Sequence, residues 1–299
     1  MARAVVVINP LSGRGRHQSQ IDAHTALARE VLAAHGFEVA VRATTKGGDA
    51  HRFAREAVDA DTDLVVAWGG DGTINEVASA LVRTDVPLAI VPAGSGNGLA
   101  ADLAIPFDPR AALTIAAAAP NLVIDAGTVD GHFFFNIAGV GIDAVIAARF
   151  AERAMRRRGF AAYLQLSSAE LLRYRCQTYS LTIDGDAVDH RAMLIACANG
   201  RQYGNRLFIA PGARLDDGLL EIVVVEELSL AAIAWRLPSL FRGTLRAERG
   251  ITMRAARTLQ IAAPEPIPFH VDGEPLLGGR ALTIQIHARA LTVRAPRVG

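Results

Sequence analysis

Asp63-Leu-Val-Val-Ala-Trp-Gly-Gly-Asp-Gly-Thr-Ile-Asn-Glu76 reads as a buried strand that turns on glycines straight into a helix. Ile74, Val77, Ala78 and Leu81 recur at i, i+3, i+4 and i+7, one apolar helical face. Thr73 and Glu76 have the spacing of a capping box. Gly69, Gly70, Asp71 and Gly72 therefore lie where a strand ends and a helix begins. Free backbone N–H groups and the positive end of the helix dipole favour a phosphate there. Glycines let backbone approach a ligand closely. An acid in such a loop repels phosphate unless a cation mediates, so Asp71 points to Mg²⁺.

Working outward, two more loops have the same character. Asn9-Pro-Leu-Ser-Gly13-Arg-Gly15 follows the apolar run Ala4–Ile8, and Pro92-Ala-Gly-Ser-Gly-Asn-Gly98 follows the strand pattern Val86–Val91. Helical patterns at 21–35 and 48–58, with a strand at 37–43, complete alternating βα units, and Asp108-Pro109 has the form of a helix N-cap with Pro at the first helical position. This predicts a parallel sheet with ligands at the strands' carboxyl ends.

Beyond Asn121 the pattern changes to strands at 122–129, 131–137, 178–183, 192–198, 219–225, 258–261, 281–286 and 290–293. The turn dipeptides are Asp184-Gly185, Asp217-Gly218 and Asp272-Gly273. Two helical stretches, 144–174 and 228–241, interrupt them. An antiparallel sandwich is expected, with the domains at 1–125 and 126–299 and the last strand free to return to the first domain.

Composition narrows the class. Lys+Arg 31 against Asp+Glu 30 argues against a dedicated nucleic-acid binder, and Lys46 is the single lysine. Cys176 and Cys197 lack zinc-ligand spacing and read as two buried thiols. No apolar run suits a signal peptide or a membrane span, so a cytoplasmic location is expected. No G-x-x-x-x-G-K-[ST] is present. Gly139-Val-Gly-Ile-Asp-Ala144 imitates a dinucleotide fingerprint without the acid that should follow, and is expected instead to pack backbone at a domain interface. Arg153, Arg156, Arg157 and Arg158 precede Gly159-Phe-Ala-Ala-Tyr-Leu164, which fits either an anionic membrane surface or a solvated helix face.

Asn9–Gly13, Gly69–Thr73, Pro92–Asn97, Asn136–Asp143 and Val271-Asp-Gly-Glu274 together resemble the diacylglycerol kinase catalytic-domain family, which includes bacterial lipid kinases and sphingosine kinases. The resemblance implies a phosphofructokinase-like three-layer α/β nucleotide domain, a β-sandwich lipid domain and an active site in the cleft between them. It implies ATP contacts from Asn9, Pro10, Leu11, Ser12, Gly13, Thr44, Gly69, Gly70, Asp71, Gly72, Thr73, Asn75, Glu76, Gly94, Ser95 and Asn97. It implies a Mg²⁺ turn of Asp217 with the carbonyls of Arg214 and Leu219, aided by Asp71. Glu274 would be the base, with Asp272 as orienter or metal partner; the sphingosine kinases give that role to the position of Asp71.

The expected activity is ATP-dependent phosphorylation of a lipid hydroxyl, diacylglycerol-type first, on a lipid met at the membrane periphery. A sphingoid-base kinase, a NAD kinase and a non-catalytic nucleotide or lipid sensor are the alternatives. Gly94-Ser-Gly-Asn-Gly98 is nearer the sphingosine-kinase form. Homodimer formation is left open.

Overall fold

The computed structural model describes residues 1–12, 18–153 and 170–296. Gly13, Arg14 and Gly15 of the first loop lie outside the described residues, as do the Arg153 side chain and the Arg156–Leu164 segment. The chain divides into two compact units, 1–124 with 289–299, and 125–288.

In the first unit, β1 (Ala2–Ile8), β2 (Phe37–Ala43), β3 (Leu64–Gly69) and β4 (Leu88–Pro92) form a parallel sheet in the order β2-β1-β3-β4. β3 and β4 are buried along their whole length, as their unbroken apolar sequences require. Helices α1 (Gln18–Ala34) and α5 (Pro109–Ala118) pack together, and so do α2 (Asp49–Asp59) and α3 (Asp71–Leu81). Right-handed crossovers place these pairs on opposite faces, because the chain steps from β1 to β2 in one direction and from β2 back past β1 to β3 in the other. The crevice between the carboxyl ends of β1 and β3 is thus a switch point, the usual ligand site of an open α/β sheet. Short α4 (Gly98–Asp102) follows β4. Asp108 caps α5 by accepting the Ala111 N–H at 2.8 Å.

The second unit is antiparallel. It comprises β5 (Asn121–Val129, shared with the first unit), β6 (His132–Phe134), β7 (Ile137–Gly141), β8 (Gln177–Ile183), β9 (Asp186–Ala198), β10 (Leu220–Glu226), β11 (Ile251–Ala256), β12 (Thr258–Ala262), β13 (Pro268–Val271) and β14 (Glu274–Leu277). Long β15 (Ala281–Arg294) begins here beside β12 and ends in the first unit beside β4. β9 joins β8 through residues 186–192, and β7 and β10 through residues near 192–198, so one strand serves two parts of the sandwich. Two cores result, one around Phe134, Leu181, Ile222 and Leu259, the other around Ile137, Val223 and Ile251. Helices α6 (Ile142–Arg153) and α7 (Leu230–Arg242) are added to it.

Several sequence expectations need correction. The predicted strand 131–137 ends early, as β6 at Phe134, because the backbone N–H groups of Phe135, Asn136 and Ile137 turn to one carboxylate, that of Asp272; a separate strand, β7, starts at Ile137. The predicted strands 281–286 and 290–293 are one, bent where Arg289 takes φ 53°. The expected helical stretch 144–174 is helical at Ile142–Arg153 and again at Glu170 and Leu171, with the Tyr174 N–H closing on the Glu170 carbonyl at 2.9 Å, while residues 154–169 lie outside the described residues. The Gly139–Gly141 segment is β7 itself, packed within the second unit. Cys176 is partly exposed and only Cys197 is buried.

Candidate functional site

The three loops of the first unit meet through named hydrogen bonds. Asn9 Nδ2 donates to Thr73 Oγ1 at 2.8 Å, while Asn9 Oδ1 accepts the Leu11 N–H at 2.9 Å. The Gly70 N–H donates to Ser12 Oγ at 3.3 Å. These two links tie the β1 loop to the β3 loop across the switch point. The β3 and β4 loops touch glycine to glycine. A Cβ on Gly94 would lie 2.6 Å from the Gly70 Cα and 2.9 Å from Asn97 Oδ1, and one on Gly69 2.6 Å from the Thr73 side chain. Close backbone approach, rather than turn flexibility, is what these three glycines provide.

Asp71 is the fastener of this arrangement. Its carboxylate accepts the N–H groups of Asn97 at 2.8 Å and Gly98 at 3.0 Å, satisfying the start of α4. Asn97 is fully buried in a left-handed conformation and closes its own loop on Gly94. The amides of the second glycine loop are therefore largely spent internally. The N-terminus of α3 differs: its N-cap is Gly70, with no side-chain cap. Thr73 and Glu76 do not form the expected capping box, because the helix begins at Asp71, two residues before Thr73. Glu76 instead reaches α2, accepting the N–H groups of Gly48 at 3.0 Å, Ala50 at 3.1 Å and His51 at 3.4 Å.

Glu76 thereby pins the 44–48 loop, and Asp49 pins it from the other side. The Asp49 carboxylate accepts the Thr45 N–H and hydroxyl and the Lys46 N–H, and pairs with Arg52. Those bonds, Thr45's backbone N–H foremost, hold the Asp49 carboxyl well below the usual range. Together the loops enclose a cavity of about 100 Å³ bounded by Asn9, Leu11, Thr44, Lys46, Thr73 and Glu76. Lys46 is exposed and lines the same cavity as Thr73 and Glu76; as the single lysine of the sequence it was a usable signal, although the expected site residues do not include it. A larger cavity, about 260 Å³, lies among Arg3, Glu38, Arg42 and Phe53 and contains no motif residue.

The second unit carries the remaining candidates. Asp272-Gly273 is the tip of the β13–β14 hairpin, with φ 48° and 86°. Asp272 does not point outward as a free acid. It accepts the N–H groups of Phe135, Asn136 and Ile137 at 2.9, 2.9 and 3.0 Å, which makes it a positioning residue for the turn. Glu274 is exposed at the start of β14. Behind the turn lies a group that the sequence reading left unassigned. His270 Nδ1 accepts the Gly273 N–H at 3.3 Å, so its Nε2 carries the proton and donates to Asp143 Oδ2 at 3.1 Å. Tyr203 donates its hydroxyl to the same oxygen at 3.1 Å. His270 and Asp143 are both buried. Gly139, opposite His270 on β7, leaves the room: a Cβ there would collide with Asp143 Oδ2 and come within 2.6 Å of His270 Nε2. That packing need explains the first glycine of the dinucleotide-like motif.

Asp217 is exposed, and its Oδ1 accepts the Leu219 N–H at 3.0 Å. The Arg214 side chain lies on Asp216, and buried Asp125 accepts the Gly218 N–H at 2.6 Å. Burial and then the Asp217 charge push the neighbouring Glu221 carboxyl upward. Oxygen donors at an exposed turn with excess negative charge suit a hard divalent cation that keeps some of its waters. Among the described residues, no group of three or more His, Cys, Asp or Glu is placed to hold a metal by itself. Among the described residues, buried Asn136 Oδ1 and Asn199 Oδ1 find no hydrogen-bond donor.

Known proteins match this arrangement over nearly the whole chain. The diacylglycerol kinase catalytic domain model matches residues 3–129, and the YegS C-terminal NAD kinase beta sandwich-like domain model matches residues 136–295. "Probable lipid kinase YegS-like" of Pseudomonas aeruginosa (strain UCBPP-PA14) is 33% identical over 294 residues, 97% of this chain and 94% of that protein. The chain belongs to the YegS-like lipid kinase family. A second family relative, from Pectobacterium atrosepticum, is 34% identical over 273 residues, 87% of each chain. The crystal structure of a diacylglycerol kinase from Bacillus anthracis str. Sterne superimposes with TM-score 0.75, covering 98% of this chain and 96% of that one at 20% identity, a likeness of fold. Among the described residues of this family member, no helix is long and apolar enough to cross a membrane.

Proposed function

We propose that the protein transfers the γ-phosphate of ATP to a lipid hydroxyl, a diacylglycerol-type alcohol being the first acceptor to test. The observation that carries this is the start of α3, which lacks a side-chain cap and is tied to the β1 loop, beside a cavity lined by Thr73 and Lys46 in a member of a lipid kinase family. Amides without intrahelical partners, a helix dipole and one lysine form a seat for phosphate oxygens. Asn9, Ser12, Gly69, Gly70 and Gly94 set the shape of that seat, and Asp71, Asn97, Thr44, Asn75, Ser95 and Glu76 hold or border it. Little covalent chemistry is asked of a phosphotransferase beyond positioning and charge stabilisation. Glu274 accepts the acceptor hydroxyl's proton as that oxygen bonds to phosphorus and the bond to the leaving diphosphate breaks. Asp272 keeps the turn in place for it. Mg²⁺, when bound, neutralises charge on the phosphates. Asp217, the carbonyls of Arg214 and Leu219, and Asp71 are the residues proposed to hold it.

The test is transfer of label from γ-labelled ATP, with Mg²⁺, to mixed micelles of diacylglycerol, phosphatidylglycerol, monoacylglycerol or sphingosine, each alone, with NAD as a further acceptor. Label entering one lipid, lost in Glu274→Ala, is the expected result. Label entering NAD alone would replace this reading with NAD kinase. ATP binding with no transfer to any acceptor would replace it with a sensor.

A further inference from the structure

The helix α7, Leu230–Arg242, is apolar almost all round, yet no residue of it is buried. Only Arg236, Ser239 and Arg242 of its 13 residues are polar. A helix of that composition belongs in a core or against lipid. Leu240 packs on the core around Val223 and Ile251, and Arg236 is held to Glu248 at 2.6 Å, so one side is seated on the second unit. The opposite side carries Leu237, Leu230, Ala234, Pro238, Ala231 and Trp235, a contiguous arc of about 160° at 100° per residue. Trp235 is 85% exposed and Leu230 51%.

Charge identifies the occupant. Arg242, in the last turn, falls in the same arc between Ala231 and Trp235, and Arg246 and Arg249 follow on the adjoining segment, all three exposed. Among the described residues none of the three makes an ion pair. The acids nearest α7 in sequence are already matched: Glu226 with His190, Glu227 with Arg191, Glu248 with Arg236. An apolar arc with one tryptophan and an unneutralised arginine rim is the make-up of a helix lying in an anionic bilayer interface. A two-fold contact between copies would instead gather six uncompensated arginines about one apolar patch.

We infer that α7 docks the protein on the surface of an anionic lipid bilayer, with Trp235 and Leu237 entering the headgroup region and Arg242, Arg246 and Arg249 meeting lipid phosphates. The lipid-kinase reading supplies the reason for such a surface, but the test does not depend on it. The protein has two tryptophans, and Trp68 is buried and stacked on His24. A change of emission on adding vesicles therefore reports Trp235.

The probes are vesicles of phosphatidylcholine alone and of phosphatidylcholine with phosphatidylglycerol at roughly seven to three. The full chain is expected to shift its emission to the blue and co-sediment with the anionic vesicles. Trp235→Phe should lose the shift and keep binding, and Trp235→Ser with Leu237→Ser should bind about tenfold more weakly or worse. Each of Arg242→Gln, Arg246→Gln and Arg249→Gln should weaken binding about fivefold, an effect that high salt erases. Absence of a shift on anionic vesicles, or binding unchanged in the double serine variant, would overturn the inference. So would a dimer in sedimentation velocity that Trp235→Ser converts to monomer. Phosphorylation of a detergent-dispersed acceptor by the double serine variant, at the wild-type rate, would show the kinase reading intact whichever way the vesicles behave. Vesicle docking through Trp235 with no lipid phosphorylated would leave the inference standing and fell the kinase reading.

Discussion

Asp71 and Asp272 occupy the same kind of place in the two units, beside a glycine at the end of a strand, and both spend their oxygens on backbone amides far along the chain. What lies next to each differs. Beside Asp71, the first turn of α3 lacks a side-chain cap, and the phosphate seat proposed above is placed there. Beside Asp272, the three nearest amides are consumed, and an exposed side chain, Glu274, is what the turn presents. The acid is a fastener in both places; on the function proposed above, the working group is backbone in one unit and carboxylate in the other. A short acidic motif therefore does not reveal whether its acid does chemistry or holds the shape.

The largest effect should come from separating those roles. Glu274→Gln keeps size and polarity but cannot accept a proton, and turnover should fall by about 10²- to 10⁴-fold with the melting temperature unchanged. Asp272→Asn should lower stability as well as turnover. One carbonyl oxygen cannot serve three amides, and the amino group would face N–H donors, a loss of about 2–3 kcal/mol. Lipid phosphorylation and thermal melts on both variants decide the matter. Equal loss of turnover with unchanged melting in Asp272→Asn would make Asp272 a reactive acid and erase the contrast.

Next in size is a pair of glycine substitutions. Gly94→Ala puts a methyl into Gly70, backbone against backbone, which overpacking costs of about 1–3 kcal/mol describe, and should weaken ATP binding. Gly273→Ala meets nothing within 4 Å and pays only for φ 86°, about 1 kcal/mol. Calorimetric titration with ATP should therefore separate the two variants even where their melting temperatures are close.

The difference between the units also explains what could be read in advance. In the first unit each strand, glycine loop and helix is contiguous, and periodicity alone placed β1 to β4 and α1 to α3 within a few residues. The Asp108 cap was legible for the same reason. In the second unit the informative bonds span long separations: Asp272 to Phe135, Asp125 to Gly218, His270 to Asp143. No local pattern announces them. β13 and β14 are short and contain proline, β7 is rich in glycine, and β11 has a mixed pattern, so none was foreseen. His270 carried no ligand spacing, since its partners come from α6 and the turn itself. Even in the first unit, Glu76 showed a capping-box spacing while its true partner was another helix.

A smaller effect concerns acid stability, to which each unit contributes one loop-fastening aspartate. Asp49 is held low by Thr45 and its neighbours. Burial would raise Asp184, but hydrogen bonds from Thr258 and Arg257 outweigh it, so its carboxyl is lowered too. A carboxyl lowered in the folded state stabilises above its ordinary value of 3.8 and loses that contribution as pH falls toward the folded value. Asp49→Asn and Asp184→Asn should each lower melting temperature at neutral pH, with a deficit that starts to shrink below about pH 4 and closes only as pH nears the lowered folded value. A variant whose deficit persists in acid would show that packing, rather than charge, fastens its loop.

The smallest measurable difference is chemical. Cys197 lies across from Ala138 in the sandwich core, and burial, then the Asp143 charge, push its thiol far up, so no thiolate is available to react. Cys176 is partly exposed and its thiol is raised chiefly by burial. Alkylation of native protein should label Cys176 slowly and leave Cys197 untouched, with Cys197 reacting only as the second unit opens. In a Trp235→Phe background, Trp68 emission reports the first unit, so urea titration can follow both units in one sample. Coincident transitions would mean that the two units unfold as one. Cys197 labelling at lower urea than the Trp68 change would mean that the sandwich, with its long-range fasteners, gives way before the locally built first unit.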